Sequence, residues 1–311
     1  MEKPKIVVVG SSNTDIVIKM ERLPIPGETI IGGDFIMAAG GKGANQAVAA
    51  ARLGGEVTLV ARVGKDMFGK QAIQNFQHEG INTNFIIEDD FSPSGVALIF
   101  VDRKGENSIA VASGANSKLS EQDVAKAEEE IKNAKVMLLQ LEIPLETVRY
   151  AVRLASETGT KVILNPAPAR KLDEGLLRMI TVLSPNESET ELLTGVKVED
   201  EKSAKQAAEV LRAIGIANVV ITMGSKGSFL VTEDQAVMVP TKKIEAVDTT
   251  AAGDAFNGAL AYALAKNEPI EDAVRFANLV GAFSATKMGA QPSMPSFDEI
   301  QQFGEGLSKS H

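Results

Sequence analysis

Six short apolar runs recur along the chain, at residues 6–9, 57–60, 136–141, 162–164, 181–184 and 219–222, and most are rich in β-branched side chains. A strand wetted on one face alternates apolar and polar residues, whereas a strand covered on both faces is apolar almost throughout. Between these runs lie stretches with a helical period. In residues 120–135, Val124, Ala127 and Ile131 make one apolar stripe and charged residues fill the other face. Ser120 and Asp123 have the spacing of a capping box at its start. The pattern predicts an α/β protein with a doubly wound, mostly parallel sheet flanked by helices.

The 311 residues suit one large domain, alone or with an appendage, and 44% hydrophobic residues suffice for a real core. No apolar run reaches membrane-spanning length, and "MEKPKIVVVG" reads as a first strand rather than a signal peptide. Cysteine is absent, which excludes thiolate chemistry and fits a cytoplasmic location. The net charge of −9 supplies no broad positive field for nucleic acid or an anionic membrane. An anionic ligand must therefore be held by local groups. With only His78 and His311, a histidine-based triad or zinc site is not expected.

Five of the six runs lead into small or polar residues: Gly10 through Asp15, then Glu142, Asn165, Asn186 and Thr222. Ligands of open α/β sheets bind beyond the carboxyl ends of the strands, so this row marks the expected site. Two regions break the alternation. Residues 16–40 hold two strand-like runs around a Pro/Gly turn, and residues 94–113 read as a hairpin turning near Lys104–Gly105. In that hairpin Val96, Leu98 and Phe100 point one way, and Ala97, Ile99 and Val101 the other. Both faces are apolar. Either the hairpin is buried in the main body, or it forms a small sheet that covers a ligand on one face and meets a partner subunit on the other.

Neither G-x-x-x-x-G-K-[ST] nor a G-x-G-x-x-G after the first strand is present. Two other stretches carry chemistry. In "DTTAAGDAFNGAL", residues 248–260, the apolar stripe of Phe256, Leu260 and Leu264 places Ala251, Ala252 and Gly253 at a helix start. There the first amides lack partners and the helix dipole is positive, which makes a main-chain anion hole. Asp254, in the first turn, is either a favourable first-turn acid or the group that takes a proton from a nucleophile attacking the bound phosphate. In "AAGGKGANQAVAAARLGG", residues 38–55, Gly40, Gly41 and Gly43 permit close backbone approach, Lys42 brings charge, and Asn45 both donates and accepts. With Asn13, Asp15 and Glu142 they make a polar set suited to a polyol.

Two weaker signals follow. Asn186 and Glu189 in "NESE" suit magnesium held through waters, and a solvated loop explains them equally. "TMGSKGSFL", residues 222–230, is a strand and a Gly-rich turn that either holds a nucleotide phosphate or is a plain hairpin.

Taken together, "GGKGANQAVAAARLGG" and "DTTAAGDAFNGAL" resemble the two signatures of the ribokinase-type (phosphofructokinase-B) carbohydrate kinase family. "GSSNTD", "LQLEIP", "NESE", "TMGSKG" and "GAQPSMP" follow in the family's order, so the resemblance covers essentially the whole chain. It implies a single domain over residues 1–311, with a small β lid built from about 14–38 and 94–113 through which two chains form a homodimer. It implies phosphorylation of D-ribose at its 5-hydroxyl by ATP, with magnesium and a potassium activator. Sugar contacts fall on Asn13, Asp15, Gly41, Lys42, Gly43, Asn45 and Glu142. Asp254 falls on the catalytic base, and Ala251, Ala252 and Gly253 on the anion hole. Nucleotide contacts fall on Asn186, Thr222, Gly224, Ser225, Gly227, Gly253 and Asn278, with Glu189 ordering the magnesium region. The potassium site falls on Asp248, Thr250, Ser284, Lys287, Gly289 and Ser293, several through backbone carbonyls. Ala251 departs from the glycine frequent in the family, and Asn278 replaces an aromatic-ring residue of some relatives. The runner-up is a kinase for another small sugar or a nucleoside, and a non-catalytic sugar- or nucleotide-sensing protein is a third reading.

Overall fold

All six apolar runs form strands. The structure, a computed structural model, describes residues 3–31, 33–103 and 107–308. The chain begins β1 (Lys5–Val9), β2 (Asn13–Lys19), β3 (Asp34–Gly40), α1 (Lys42–Arg52), β4 (Glu56–Gly64), α2 (Met67–His78) and β5 (Ile86–Asp89). Next come β6 (Gly95–Val101), β7 (Asn107–Ala112), α3 (Glu121–Ala125), α4 (Glu128–Asn133), β8 (Val136–Leu139), α5 (Leu145–Thr158), β9 (Lys161–Leu164) and α6 (Glu174–Leu177). Then follow β10 (Val182–Leu183), α7 (Glu187–Thr194), α8 (Glu201–Ile214), β11 (Asn218–Thr222), β12 (Ser228–Val231) and β13 (Ala236–Val239). The helices α9 (Ala252–Ala265), α10 (Ile270–Ser284) and α11 (Phe297–Ser308) close the order.

Among the described residues, nine strands form one sheet in the order β13-β12-β11-β10-β9-β8-β1-β4-β5. It is parallel from β5 to β11, with β12 and β13 added antiparallel at one edge. Side chains of β1 alternate between two cores: Ile6 and Val8 join one, Val7 and Val9 the other. Helices α1, α9 and α10 cover the first face, contributing Val48, Leu260 and Val280. Helices α5 and α8 cover the second with Val148 and Leu211. Each such fully buried aliphatic side chain contributes roughly 1.5–3 kcal/mol, which is why the covered strands are apolar on both faces. The strand order reverses at β1, whose neighbours are β4 and β8. A crevice at the carboxyl end of β1 is the position such a reversal opens.

Residues 120–135 differ from the single helix expected. The chain forms α3 and α4, interrupted at Lys126–Ala127, where the Ala127 amide makes a tighter bond to the Val124 carbonyl. Val124, Ala127 and Ile131 are all fully buried, so the apolar stripe is kept across the break, and no glycine or proline marks it. The capping box of Ser120 and Asp123 is complete.

A second, four-stranded sheet has the order β3-β2-β6-β7. β2 runs antiparallel to β3 and parallel to β6, and β6 runs antiparallel to β7. The expected turn at Lys104–Gly105 lies outside the described residues, as does His311. Ile16 pairs with Met37 and Leu98, which puts these three with Ile18 and Phe35 on one face. Asp15, Ile36, Ile109 and Val111 lie on the other. Phe35, Met37, Leu98, Ile109 and Val111 are all exposed. No helix among the described residues is long and apolar enough to cross a membrane.

Candidate active site

The turn after β1 meets the start of α1. Ser11 donates its hydroxyl to Glu142 at 2.5 Å, and the Lys42 amide donates to the same carboxylate oxygen at 3.0 Å. The contact is close because residue 43 is glycine: a Cβ there would lie 2.5 Å from the Ser11 nitrogen. Gly41 caps α1 with a φ of 91°. These glycines bring backbone against backbone, so their first effect is to dock α1 on the β1–β2 turn. Asn13 accepts a hydrogen bond from Asn116 at 2.7 Å, and the Asn116 oxygen accepts from the Ser12 amide at 2.9 Å. Asp15 packs its carboxylate over Gly40. Burial, then the charges of Glu142 and Asp254, push its pKa up to about 6 against the opposing pull of Lys42. Beside this cluster a cavity of about 370 Å³ opens between Asn13, Val111, Asn116, Glu142, Pro168 and Arg170.

Asp254 occupies the first turn of α9 and is 6% exposed. Asn45 donates to its Oδ2 at 2.9 Å and Gln46 to its Oδ1 at 2.9 Å. Burial raises its pKa, while Lys42, Asn45 and Gln46 act in the opposite sense. The Lys42 ammonium is depressed by burial but held above its ordinary value by Asp254, Glu142, Glu189 and Asp15. One cation is thus surrounded by four carboxylates. The Asn45 Oδ1 is buried with no hydrogen-bond partner among the described residues. It is an acceptor aimed at something the chain itself does not supply.

Of the three residues ahead of Asp254, the Ala252 amide donates to the Thr249 carbonyl at 3.2 Å. Gly253 is exposed, and a Cβ on it would meet nothing within 4 Å. Ala251 takes a left-handed φ of 60° to turn the chain into the helix.

The residues expected at the nucleotide form one patch. Asn186 and Thr222 bridge the ends of β10 and β11, and the Thr222 amide donates to the Pro185 carbonyl at 2.9 Å. Asn186 caps α7 and forms a complete capping box with Glu189, whose two carboxylate oxygens accept from the Asn186 amide and side chain. Burial holds the Glu189 pKa above the ordinary value, ahead of the opposing hydrogen bond from Asn186. Gly224 and Ser225 lie in a 3₁₀ turn that joins β11 to β12, so residues 222–230 are a hairpin by their backbone. Next to Gly227, Ser228 donates to the Asn278 oxygen at 2.7 Å, and Asn278 donates to the Val239 carbonyl at 2.9 Å. The Asn278 side chain is therefore engaged in tying α10 to this hairpin.

The third set also converges. Asp248 accepts from the Thr250 amide and the Gly289 amide, each at 2.9 Å. Burial acts to raise its pKa, but the hydrogen bonds from Thr250 and Gly289 outweigh it and hold the carboxylate below its ordinary value. Ser284 and Ser293 share a hydrogen bond of 2.7 Å. Lys287 turns its side chain away to Glu299 at 2.7 Å, leaving only its backbone to this cluster.

Sequence reasoning missed Ser11, Gln46, Gln140 and Asn116. Gln46 sits inside the "GGKGANQ" stretch and could have been read with Asn45 as a second amide on the first turns of a helix. Asn116 carried no signal, because it reaches Asn13 across more than a hundred residues.

An acid set in the positive end of a helix, across from a cation and a polyol-sized polar cluster, at the switch point of an α/β sheet, defines a small-molecule kinase. The sequence comparisons narrow the class. Residues 3–296 match the pfkB family of carbohydrate kinases, and the chain belongs to that family. It is 45% identical to the ribokinase of Haemophilus influenzae, over 96% of this chain and 98% of that one. It is 42% identical to the deoxyribokinase of Salmonella typhi, over 97% and 98% of the two chains. Among solved structures, the Arabidopsis thaliana ribokinase complexed with ribose and ATP superposes with a TM-score of 0.90 at 34% identity, over 97% of this chain and 99% of that one.

Proposed function

We propose that this protein transfers the γ-phosphoryl group of ATP to the 5-hydroxyl of D-ribose, giving D-ribose 5-phosphate and ADP. The observation that carries the reading is Asp254, buried at the amino end of α9 between Asn45 and Gln46. In this reading Asp254 accepts the hydroxyl proton as the O5–P bond forms and the bond from phosphorus to the ADP oxygen breaks. A general base of this kind supplies roughly 10²–10⁴-fold. The amides of Ala251, Ala252 and Gly253 receive the charge that develops on the transferring group, Ala252 by giving up its bond to Thr249. Asn13, Asp15, Gly41, Lys42, Gly43, Asn45 and Glu142 hold the sugar. The unpartnered Asn45 oxygen supports this, since a sugar hydroxyl both donates and accepts. Asn186, Thr222, Gly224, Ser225, Gly227, Gly253 and Asn278 border the nucleotide.

Asn186 and Glu189 would hold magnesium through waters, since their hard oxygens fit a cation that keeps its hydration shell. Glu189 is fixed in place by Asn186, which suits that indirect role. Magnesium held there would supply positive charge to offset that of the phosphates. Asp248, Thr250, Ser284, Lys287, Gly289 and Ser293 would hold potassium, and the depressed pKa of Asp248 keeps a full negative charge there. The chain acts as one domain, residues 1–311, with the small sheet, about 14–38 and 94–113, as its lid. The face with Asp15 covers ligand, and the face with Phe35, Met37 and Leu98 joins a second copy in a homodimer. The absence of cysteine supports a cytoplasmic location.

The 42% identity to a deoxyribokinase supports one second reading, a kinase for 2-deoxy-D-ribose. A panel of D-ribose, 2-deoxy-D-ribose, other pentoses, hexoses and nucleosides, with ATP and magnesium in potassium or sodium buffer, tests both. The expected result is the highest kcat/KM for D-ribose, with potassium stimulation lost in Asp248→Asn. A preference for the deoxy sugar or for a nucleoside would overturn the ribose assignment.

A further inference from the structure

Gln46 is fully buried and its amide meets Asp254, yet nothing in the proposed chemistry uses it. Its orientation can be traced through the hydrogen bonds. The Ser184 main-chain carbonyl can only accept, so Asn165 must turn its NH₂ toward it, at 3.1 Å. The Asn165 oxygen then faces Gln46, and Gln46 must present its own NH₂, at 3.2 Å. The second hydrogen of that same NH₂ reaches Asp254 Oδ1 at 2.9 Å. From the other side Gln140 donates to the Gln46 oxygen at 2.5 Å, while its own oxygen has no partner among the described residues. Ser184 also donates its hydroxyl to Asn257 at 2.5 Å, and Asn257 donates to the Gly253 carbonyl at 2.8 Å. The carboxyl ends of β8, β9 and β10 thereby grip the first turn of α9 at two points, Asp254 and Gly253.

We propose that Gln46, oriented by Gln140 and Asn165, is a positioning residue that holds one oxygen of Asp254 so that its carboxylate is aimed at the acceptor hydroxyl. The inference rests on the reading of Asp254 as the base. Buried hydrogen-bonded amides stiffen a site, and a shift of about 1 Å at a catalytic group costs on the order of 10²-fold. A hydrogen bond to the charged form of a carboxylate also favours that form, so Gln46 keeps Asp254 ionised against its burial. The other charged groups that act on Asp254 are Lys42 of α1, Glu142 after β8, Asp15 of β2 and Glu189 of α7.

Three variants test this: Gln46→Met, Gln140→Glu and Asp254→Asn. Met fills the space of Gln46 without a donor. An ionised Glu at 140 cannot donate to the Gln46 oxygen, so Gln46 loses the partner that holds its amide from behind, although residue 140 does not touch Asp254. The kcat is measured per folded molecule, with sugar-binding stoichiometry from calorimetry. Both variants are expected to lose roughly 10–100-fold in kcat, with KM for D-ribose within about threefold of wild type. The acid limb of the kcat–pH profile should move to higher pH in both. Unchanged kcat per folded molecule and an unmoved acid limb, alongside an inactive Asp254→Asn, overturn the positioning role alone. Near-normal turnover by Asp254→Asn overturns the base assignment, and this inference falls with it.

Discussion

Gly258 of α9 lies against Ala49 of α1: a methyl group on Gly258 would come within 2.6 Å of the Ala49 Cβ and 2.7 Å of the Gln46 carbonyl oxygen. This close crossing brings Asn45 and Gln46, on the first turns of α1, within reach of Asp254 on α9. Overpacking such a contact costs about 1–3 kcal/mol. Gly258→Ala is therefore expected to lower the unfolding free energy by that amount, read as a lower urea midpoint, and to reduce kcat more than KM, because the helices separate where the amides meet the acid. A variant with wild-type stability and turnover would show that the crossing has slack.

Ala251 holds a left-handed φ of 60° immediately before α9. That conformation costs an L-residue about 1–2 kcal/mol, and glycine adopts it freely. Ala251→Gly should stabilise the protein by about 1 kcal/mol or less, since glycine also loosens the unfolded chain. Equilibrium unfolding in urea checks the sign. A lower midpoint for the variant would mean that the alanine side chain contributes more by packing than its backbone loses.

Asp15 gives the protein a pH dependence of known sign. Its folded pKa of about 6 exceeds the ordinary aspartate value of 3.8, so the folded state holds the proton more tightly than the unfolded chain. The stability it contributes is full below about 3.8 and is lost as pH rises through about 6. The loss amounts to at most about 3 kcal/mol. Asp15→Asn should thus be more stable than wild type at pH 7.5 and lose that advantage near pH 4. Equal stability differences at the two pH values would contradict the assignment. Sugar affinity should fall in the variant at either pH.

The outer face of the small sheet carries Phe35, 60% exposed, and Met37, 53% exposed, beside Leu98. Leu98→Lys places a charge in the middle of this face, where burial against a second copy would be costly. Sedimentation velocity should show a dimer for wild type and a monomer for the variant, with unchanged far-ultraviolet circular dichroism. A wild-type monomer would remove the homodimer from the proposal.

Much of the architecture was legible because its signals are local. A strand covered on both faces must be apolar throughout, and the runs that became β1, β4, β8, β9, β10 and β11 could be read for that reason. The start of α9 was equally legible, since Gly253 and Asp254 ahead of an apolar stripe mark a helix end open to anions. Other features were hidden. The break between α3 and α4 carries no glycine or proline, and its apolar stripe continues across it. Asn278 could be placed near the nucleotide patch, but not its bonds to Ser228 and the Val239 carbonyl, fifty and thirty-nine residues away.

From the amino-acid sequence alone, periodicity determined the class of fold, and the short motifs located the polar ends of the strands and the acid at the amino end of α9. These depend on neighbours within a turn or two of chain. Tertiary structure alone decided which polar groups meet. Gln46 reaches Asp254 across 208 residues, Gln140 reaches Gln46 across 94, and Asn116 reaches Asn13 across 103. A hydrogen bond has a range of about 3 Å and a direction, so its partner is set only when sheet order and helix crossing have brought distant segments together.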